Sequence, residues 1–271
     1  MATPSTLTAL FIGDVIGKPG RRALQQLLPE VKKRYAPDLV IGNGENSAGG
    51  FGITYPVYTA LREAGLDVVT GGNHIWDKRD VLEFIDREDR LIRPLNYPGR
   101  PPGEGVTAIS VRGVEVVVIN LMGRIFMNPL DCPFRTLDAE LKRLAQRSCK
   151  RVVIVDFHAE ATSEKAALAI HVDGRVGAVL GTHTHVQTAD ERILPKGTAF
   201  LTDAGMTGPY ESVIGMDAKD SLHRFLTGMG RRLTPATRDI RLCGAAVRFD
   251  VETGHAVSIE RIQELLPDSS P

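Results

Sequence analysis

Apolar residues along this chain come in short runs that stop at polar, glycine-containing loops. Leu7 to Ile12 is the first run and ends at Gly13-Asp14-Val15-Ile16-Gly17. Leu39 to Ile41 is the second and opens into Gly42-Asn43-Gly44-Glu45-Asn46-Ser47-Ala48-Gly49-Gly50-Phe51-Gly52. Val68 to Thr70 is the third and leads to Gly71-Gly72-Asn73-His74. Unbroken apolar runs bounded by turn formers read as strands buried on both faces. Between the first two the period lengthens. Leu24, Leu27, Leu28 and Val31 share one stripe of Arg21 to Tyr35, which predicts an amphipathic helix, with Pro19 and Gly20 as the turn before it. Thr54 reads as the N-cap of a helix to about Ala64, and Asp77 as the cap of another through about Asp86. This β-α-β-α-β-α order implies a parallel sheet covered by helices.

The middle of the chain changes character. Val106 to Val111 and Val114 to Asn120, around Arg112-Gly113, read as a hairpin, and Leu121 to Pro129 as an irregular loop. Leu137 to Gln146 is a predicted helix, Val152 to Val155 a buried strand ending at Asp156-Phe157-His158-Ala159-Glu160, and Ser163 to Ile170 a helix. Val176 to Leu180 is a further strand, and it runs into Gly181-Thr182-His183-Thr184-His185. Ala199 to Thr202 reads as a strand closing at Asp203, Asp217 to Thr227 as a helix, and Ala245 to Val251 with Ala256 to Ile262 as a final antiparallel pair. No long linker or internal repeat divides the chain, so residues 1–271 read as one domain with two packed sheets and a disordered tail over 266–271.

Ligands of open α/β sheets sit beyond the carboxyl ends of the strands. Five such ends here carry ligand chemistry: Asp14, Glu45 with Asn46, Asn73 with His74, His158, and His183 with His185. Residues two apart on an extended segment project to one side, so His183 and His185 would aim into one space. Each residue alone has an ordinary explanation as a turn former, a solvated charge or a satisfied histidine. Together, carboxylate oxygen, amide oxygen and imidazole nitrogen suit Mn²⁺, Fe and Zn²⁺. The donors outnumber the needs of one tetrahedral ion and suit two ions sharing a carboxylate.

Composition narrows the function classes. Lys plus Arg and Asp plus Glu number 33 each, so the net charge is zero, which argues against general nucleic-acid binding. Cys132, Cys149 and Cys243 form no metal spacing and cannot all pair, which points to a reduced, cytoplasmic setting. Met1 to Thr6 lacks the pattern of a signal peptide, and no stretch approaches the length of a membrane span.

The order of these motifs resembles the calcineurin-like metallophosphoesterases, whose pattern runs Asp-x-His, Gly-Asp-x-x-Asp-Arg, Gly-Asn-His, a lone His, and Gly-x-His-x-His. The matching stretches are Asp14-Val15-Ile16, Gly44-Glu45-Asn46-Ser47-Ala48-Gly49, Gly72-Asn73-His74, His158 and Gly181-Thr182-His183-Thr184-His185. Gly71-Gly72-Asn73-His74-Ile75-Trp76-Asp77 and Asp156-Phe157-His158-Ala159-Glu160-Ala161-Thr162-Ser163-Glu164-Lys165 carry a closer resemblance, to the YmdB-type branch. The resemblance implies an α/β fold of two packed mixed β-sheets flanked by helices, in four αββα layers. It implies a first metal held by Asp14, Glu45, Asn46 and His185, and a second by Glu45, Asn73, His158 and His183. Asp156 and Glu160 would orient imidazoles from behind.

Departures from the wider pattern single out other residues. Ile16 stands where a metal-binding His is usual, and Glu45 where a bridging Asp is. Ala48 and Gly49 stand where an Asp that orients the acid and an Arg that holds phosphate are usual, and Arg124 is a candidate for the missing cation. The resemblance implies a phosphodiesterase of small cyclic nucleotides, 2′,3′-cyclic nucleotides first and 3′,5′-cyclic AMP second. A metal-bridging hydroxide would attack phosphorus while His74 acts as general acid. Phe51, Tyr55, Phe126 and Tyr210 are candidates to stack on a base. The alternatives are a phosphomonoesterase and a regulatory or scaffold protein with a retained metal site; a homo-oligomer is compatible with any of these readings. A nucleotide-binding Rossmann reading, suggested by Gly13, Gly17 and Gly20, fails because the spacing is not Gly-x-Gly-x-x-Gly.

Overall fold

Alternation along each strand decides the layering. The computed structural model describes residues 6–267. The first half runs β1 (Thr6–Ile12), β2 (Asp14–Val15), α1 (Gly17–Tyr35), β3 (Leu39–Asn43), α2 (Tyr55–Glu63), β4 (Val68–Thr70), β5 (Leu91–Ile92), β6 (Val106–Val111) and β7 (Val114–Met122). The second runs α3 (Pro133–Leu144), β8 (Arg151–His158), α4 (Thr162–His171), β9 (Ala178–Thr182), β10 (Arg192–Ile193), β11 (Ala199–Leu201), β12 (Met206–Pro209), α5 (Ala218–Thr227), β13 (Ile240–Asp250) and β14 (Ala256–Leu265).

Two mixed sheets result. One has the order β2-β12-β13-β1-β3-β4-β5, with β14 also paired to β13; the other is β10-β11-β9-β8-β7-β6. β1, β3, β4 and β5 are mutually parallel, as are β7, β8, β9 and β11. On β1, Leu7, Ala9 and Phe11 face the other sheet and join Val116, Val118, Val152 and Ile154 in a shared core. Leu10 and Ile12 face the other way, onto Leu24 and Leu28 of α1 and Leu61 of α2. On the second sheet Val117, Ile119, Val153 and Val155 pack outward on α3 and α4. The period of two therefore sorts each strand between a common inner core and an outer helical layer, which is the expected four-layer α/β/β/α arrangement.

Several boundaries differ from the periodicity. α1 begins at Gly17, so Pro19 and Gly20 lie within its first turn rather than before it. Proline costs little there, because the first N–H groups of a helix have no intrahelical partner. No helix runs from Asp77 to Asp86; two short 3₁₀ turns, Arg79–Glu83 and Ile85–Arg87, take its place. Thr54 stands at the N-cap of α2 but makes no cap bond, and the distant Asp80 accepts from the Tyr55 N–H at 2.8 Å instead. Leu266, assigned to the tail by sequence, is buried, and its N–H donates to Ile240 O at 2.8 Å. Pro267 is exposed, and residues 268–271 of that predicted tail lie outside the described residues. No helix among the described residues is long and apolar enough to cross a membrane.

Candidate metal centre

The parallel strands of both sheets end at the same edge, and their last residues turn from apolar to polar there. Asn43, Thr70, Asn120, Asp156 and Thr182 are buried strand-end residues, and Asp14, Glu45, Asn46 and His158 are buried with them. This edge gathers all of the metal candidates named from the sequence.

One group converges on a single atom. His158 Nε2 lies 2.9 Å from Asn73 Oδ1, 3.2 Å from Glu45 Oε1 and 3.0 Å from His183 Nδ1. Donor atoms of Glu45, His158 and His183 all lie within 4.8 Å of one another. Gly72 permits the approach, because a Cβ there would sit 2.3 Å from Glu45 Oε2 and 2.5 Å from His158 Nε2. The second group lies beside it. His185 Nε2 is 3.8 Å from Asp14 Oδ1 and 3.3 Å from Asn46 Nδ2, which in turn donates to Glu45 Oε1 at 3.1 Å. Ile16 offers nothing to this group; it packs with Met206 and Met216 in a small apolar cluster.

The residues fit divalent ions. Three buried side-chain atoms among the described residues lack any hydrogen-bond partner, and two are Asp14 Oδ1 and Asn46 Oδ1. A buried acceptor without a partner costs about 1–3 kcal/mol, so two at one edge call for a cation. The donor set of carboxylate, amide oxygen and imidazole is that of Mn²⁺, Fe or Zn²⁺.

The outer contacts fix which nitrogen of each ring faces inward. His158 Nδ1 meets Thr182 Oγ1 at 2.9 Å, and Thr182 donates to Asp156 Oδ1 at 2.7 Å. Asp156 also accepts from Thr70 and from Asn43 Nδ2, so it ties three strand ends together. His185 Nδ1 donates to the Ile214 carbonyl at 2.8 Å, which leaves Nε2 free to accept. His183 Nε2 lies 3.1 Å from Glu160 Oε2, so Nδ1 is the atom turned toward His158.

The segment carrying this histidine pair is not extended. β9 ends at Thr182, and His183 and His185 have φ of 101° and 65°. That left-handed backbone is uncommon outside glycine and is held by its surroundings. The Thr184 N–H and hydroxyl both donate to Asp203 Oδ2, at 3.1 and 2.8 Å, and the buried Lys165 Nζ donates to the same oxygen at 2.7 Å. His183 N donates to Asp14 Oδ2 at 3.1 Å. The two imidazoles reach one edge through a pinned turn rather than through strand alternation.

Charge is organised around His158. Burial opposes its charged form, yet Glu45, Asp14 and Asp156 raise its pKa to about 9. Burial likewise opposes ionised Glu45, but His158 and His74 outweigh it and bring that carboxyl down to about 2. Burial and His158 push His183 down to about 3. Burial raises Asp156 to about 6 and holds Asp14 above the usual carboxylate range.

His74 stands at the rim. Its backbone N–H donates to Glu45 Oε2 at 2.8 Å, and its ring Nδ1 lies 2.7 Å from Asp77 Oδ2. Asp77, predicted as a helix cap, thus orients an imidazole instead. A His and an acid three residues apart in a glycine-led turn was the available signal. Phe51 meets the His74 ring edge-on at 5.0 Å between centroids.

Glu45, Asn46, His74, His183 and His185 open into a cavity of about 630 Å³, also lined by Phe51, Ile214, Ser221, Arg224 and Phe225. Arg124 is not part of it; this residue is exposed and lines a different cavity with Tyr97 and Arg135. Tyr55 lines another cavity, Phe126 is 90% exposed and does not line this one, and Tyr210 bonds the Cys243 thiol. Phe51 alone of the four stacking candidates borders the cavity. Sequence reasoning passed over Arg224 and Phe225, because nothing local marks a helix far along the chain as neighbour to these loops.

The chain is similar to known proteins along nearly its whole length. The family profile described as YmdB-like protein matches residues 10–262. A Bacillus subtilis protein named 2′,3′-cyclic-nucleotide 2′-phosphodiesterase is 49% identical over 253 residues, covering 93% of this chain and 95% of that protein. The crystal structure of a Mycoplasma pneumoniae protein described as a novel phosphatase superposes with a TM-score of 0.91 at 36% identity, covering 97% of this chain and 95% of that one. A Staphylococcus aureus structure named for a 5′-nucleotidase superposes with a TM-score of 0.62 at 16% identity, over 98% of this chain and 55% of that one. At that identity it bears on the fold alone.

Proposed function

The chain belongs to the YmdB-like family of calcineurin-like metallophosphoesterases, and from that premise we propose that it is a metal-dependent phosphodiesterase, one catalytic domain acting in the cytoplasm on small cyclic nucleotides. 2′,3′-Cyclic nucleotides are the first substrates to try, given the name of the Bacillus subtilis relative. The observation that carries the reading is the convergence of Glu45, Asn73 and His183 on His158 Nε2, beside the unpartnered oxygens of Asp14 and Asn46.

In this reading Asp14, Asn46 and His185 would hold one ion and Asn73, His158 and His183 the other, with Glu45 a ligand in each set. Bound divalent ions there supply Lewis-acid activation of water and of the phosphoryl group. The remaining work falls to the chain. Asp77 fixes the His74 ring through Nδ1, so Nε2 is the atom that gives a proton to the leaving alkoxide. Thr182 and Asp156 hold the His158 ring, and Asp203 and Lys165 hold the His183–His185 turn.

A phosphomonoesterase is the second reading, favoured by the phosphatase name of the Mycoplasma pneumoniae structure. Metal analysis of freshly purified protein, paired with hydrolysis of 2′,3′-cyclic AMP, 3′,5′-cyclic AMP and p-nitrophenyl phosphate, separates them. The expected result is two ions per chain and fastest turnover on the 2′,3′-cyclic diester. Fewer than two ions at saturation, or faster turnover of the monoester, overturns the reading.

A further inference from the structure

α5 and the segment after it form a flap that lines one side of the cavity through Ser221, Arg224, Phe225 and Leu233. Its base is closed by the pairing of Met216 with Pro235 and by Asp217 N–H donating to Thr234 O at 2.8 Å. Asp217 caps the helix, and Asp220 ties it to the return segment through Thr234 and Arg231. Ile214, at the start of the flap, accepts from His185, so the flap is joined to the metal edge. The only buried residue of α5 is Ser221, whereas Phe225 is 79% exposed although it lines the cavity.

Two neighbouring side chains on this helix carry unused chemistry. Arg224 is the only lysine or arginine lining the cavity among the described residues, and it makes no ion pair there. This exposed guanidinium is free to take an anion that enters the cavity, and its planar fork suits phosphate. Phe225 offers an exposed ring in the cavity that Phe51 also lines. Exposed aromatic rings beside a phosphate-binding cation are the elements that hold single nucleotides, through a base stacked on the ring and a phosphate paired with the charge.

We propose that α5 is the nucleotide-recognition element of this site, with Arg224 pairing to the substrate phosphate and Phe225 stacking on the base. The proposal rests on the phosphodiesterase reading for the identity of the substrate, but its test is one of binding. A site so built distinguishes a nucleotide from a base-free phosphate through one residue only. Arg224 serves both ligands and Phe225 serves the nucleotide alone.

The experiment is calorimetric titration of metal-saturated protein with adenosine 3′-monophosphate and with ribose 5-phosphate. Phe225→Ala should weaken adenosine 3′-monophosphate about tenfold, the worth of one stacked base, and leave ribose 5-phosphate unchanged. Arg224→Ala should weaken both ligands by similar factors, and Arg224→Lys should recover part of each. Both side chains are exposed, so melting temperature should not move. Equal weakening of both ligands by Phe225→Ala, no weakening by Arg224→Ala, or failure of the parent protein to bind either ligand overturns the proposal. A change of oligomeric state in Phe225→Ala also overturns it, since the ring would then be packing on a second copy. If the binding pattern holds while 2′,3′-cyclic AMP is not hydrolysed, the recognition element stands and the phosphodiesterase reading falls.

Discussion

The floor and the rim of this cavity are built on opposite principles. On the floor, Asp14, Glu45, Asp156 and His158 are buried at the ends of strands from both sheets: Glu45 meets His158 at 3.2 Å across the sheet interface, Asp156 holds His158 through Thr182, and Asp14 accepts from the His183 N–H. On the rim, α5 buries one residue and leaves Phe225 and Leu226 about four-fifths exposed. The floor holds charges that would be costly if unmatched, so each member constrains the others. On α5 the exposed Phe225 and Leu226 have little burial to lose on replacement. Chemistry that needs fixed donors sits where the fold is over-determined, and selection of ligand sits where it is not.

The comparison breaks most visibly at Glu45. Glu45→Ala removes the carboxylate shared by both groups of donors, so metal content and hydrolysis should fall together, turnover by at least about a thousandfold. Elemental analysis beside a rate assay checks this, and full metal with full rate would end the assignment. His74 tests the boundary between floor and rim. His74→Asn should lower turnover by about 10²–10⁴ while metal content stays intact. Asp77→Asn should cost less, because it disturbs only the orientation of the ring; equal metal loss in both variants would put His74 among the ligands.

The charge balance of the floor gives a pH dependence. His158 has a folded pKa of about 9 against an ordinary 6.5, so the folded metal-free protein holds a proton that the unfolded chain has released between those values. Stability from this group is complete below pH 6.5 and is lost as pH rises through 9, by up to about 3 kcal/mol. Chemical denaturation of metal-free protein across that window should show the decline. His158→Asn should flatten it, and a slope unchanged in that variant would place its origin elsewhere. Metal-saturated protein should not follow the decline, because a ligating imidazole gives up the proton.

Asp156 marks a smaller effect of the same kind. Asp156→Ala leaves donors from Thr70, Thr182 and Asn43 without their acceptor, which should cost about 1–3 kcal/mol and lower the melting temperature by several degrees. Leu226→Ala on the rim should shift melting by no more than about a degree, since an exposed side chain has little burial to lose. A large loss there would mean that α5 is covered in solution, and the contrast between floor and rim would have to be redrawn.

What the sequence determined by itself is local. Strands, helices and the polar loops between them follow from periodicity within one segment: β1, β3, β4 and β9 arise where apolar runs meet glycine, and β8 where one meets Asp156. The loops that carry Asp14, Glu45, Asn73, His158 and His183 are likewise marked by residue type at strand ends. Meeting across the fold was decided by tertiary structure. Asn73 reaches His158 across 85 positions and Asn43 reaches Asp156 across 113, through two sheets whose packing no short window encodes. The same holds where local reading misled. Asp77 turned from capping a helix to holding His74, because the ring was within reach and the helix did not form. His183 and His185 took left-handed backbone rather than strand alternation, because Asp203 and Lys165, brought up from elsewhere in the chain, hold the turn in place. Arg224 and Phe225 came to the cavity only through the closure of the α5 flap, as long-range packing sets which side chains share a space and local pattern sets only which way each one faces.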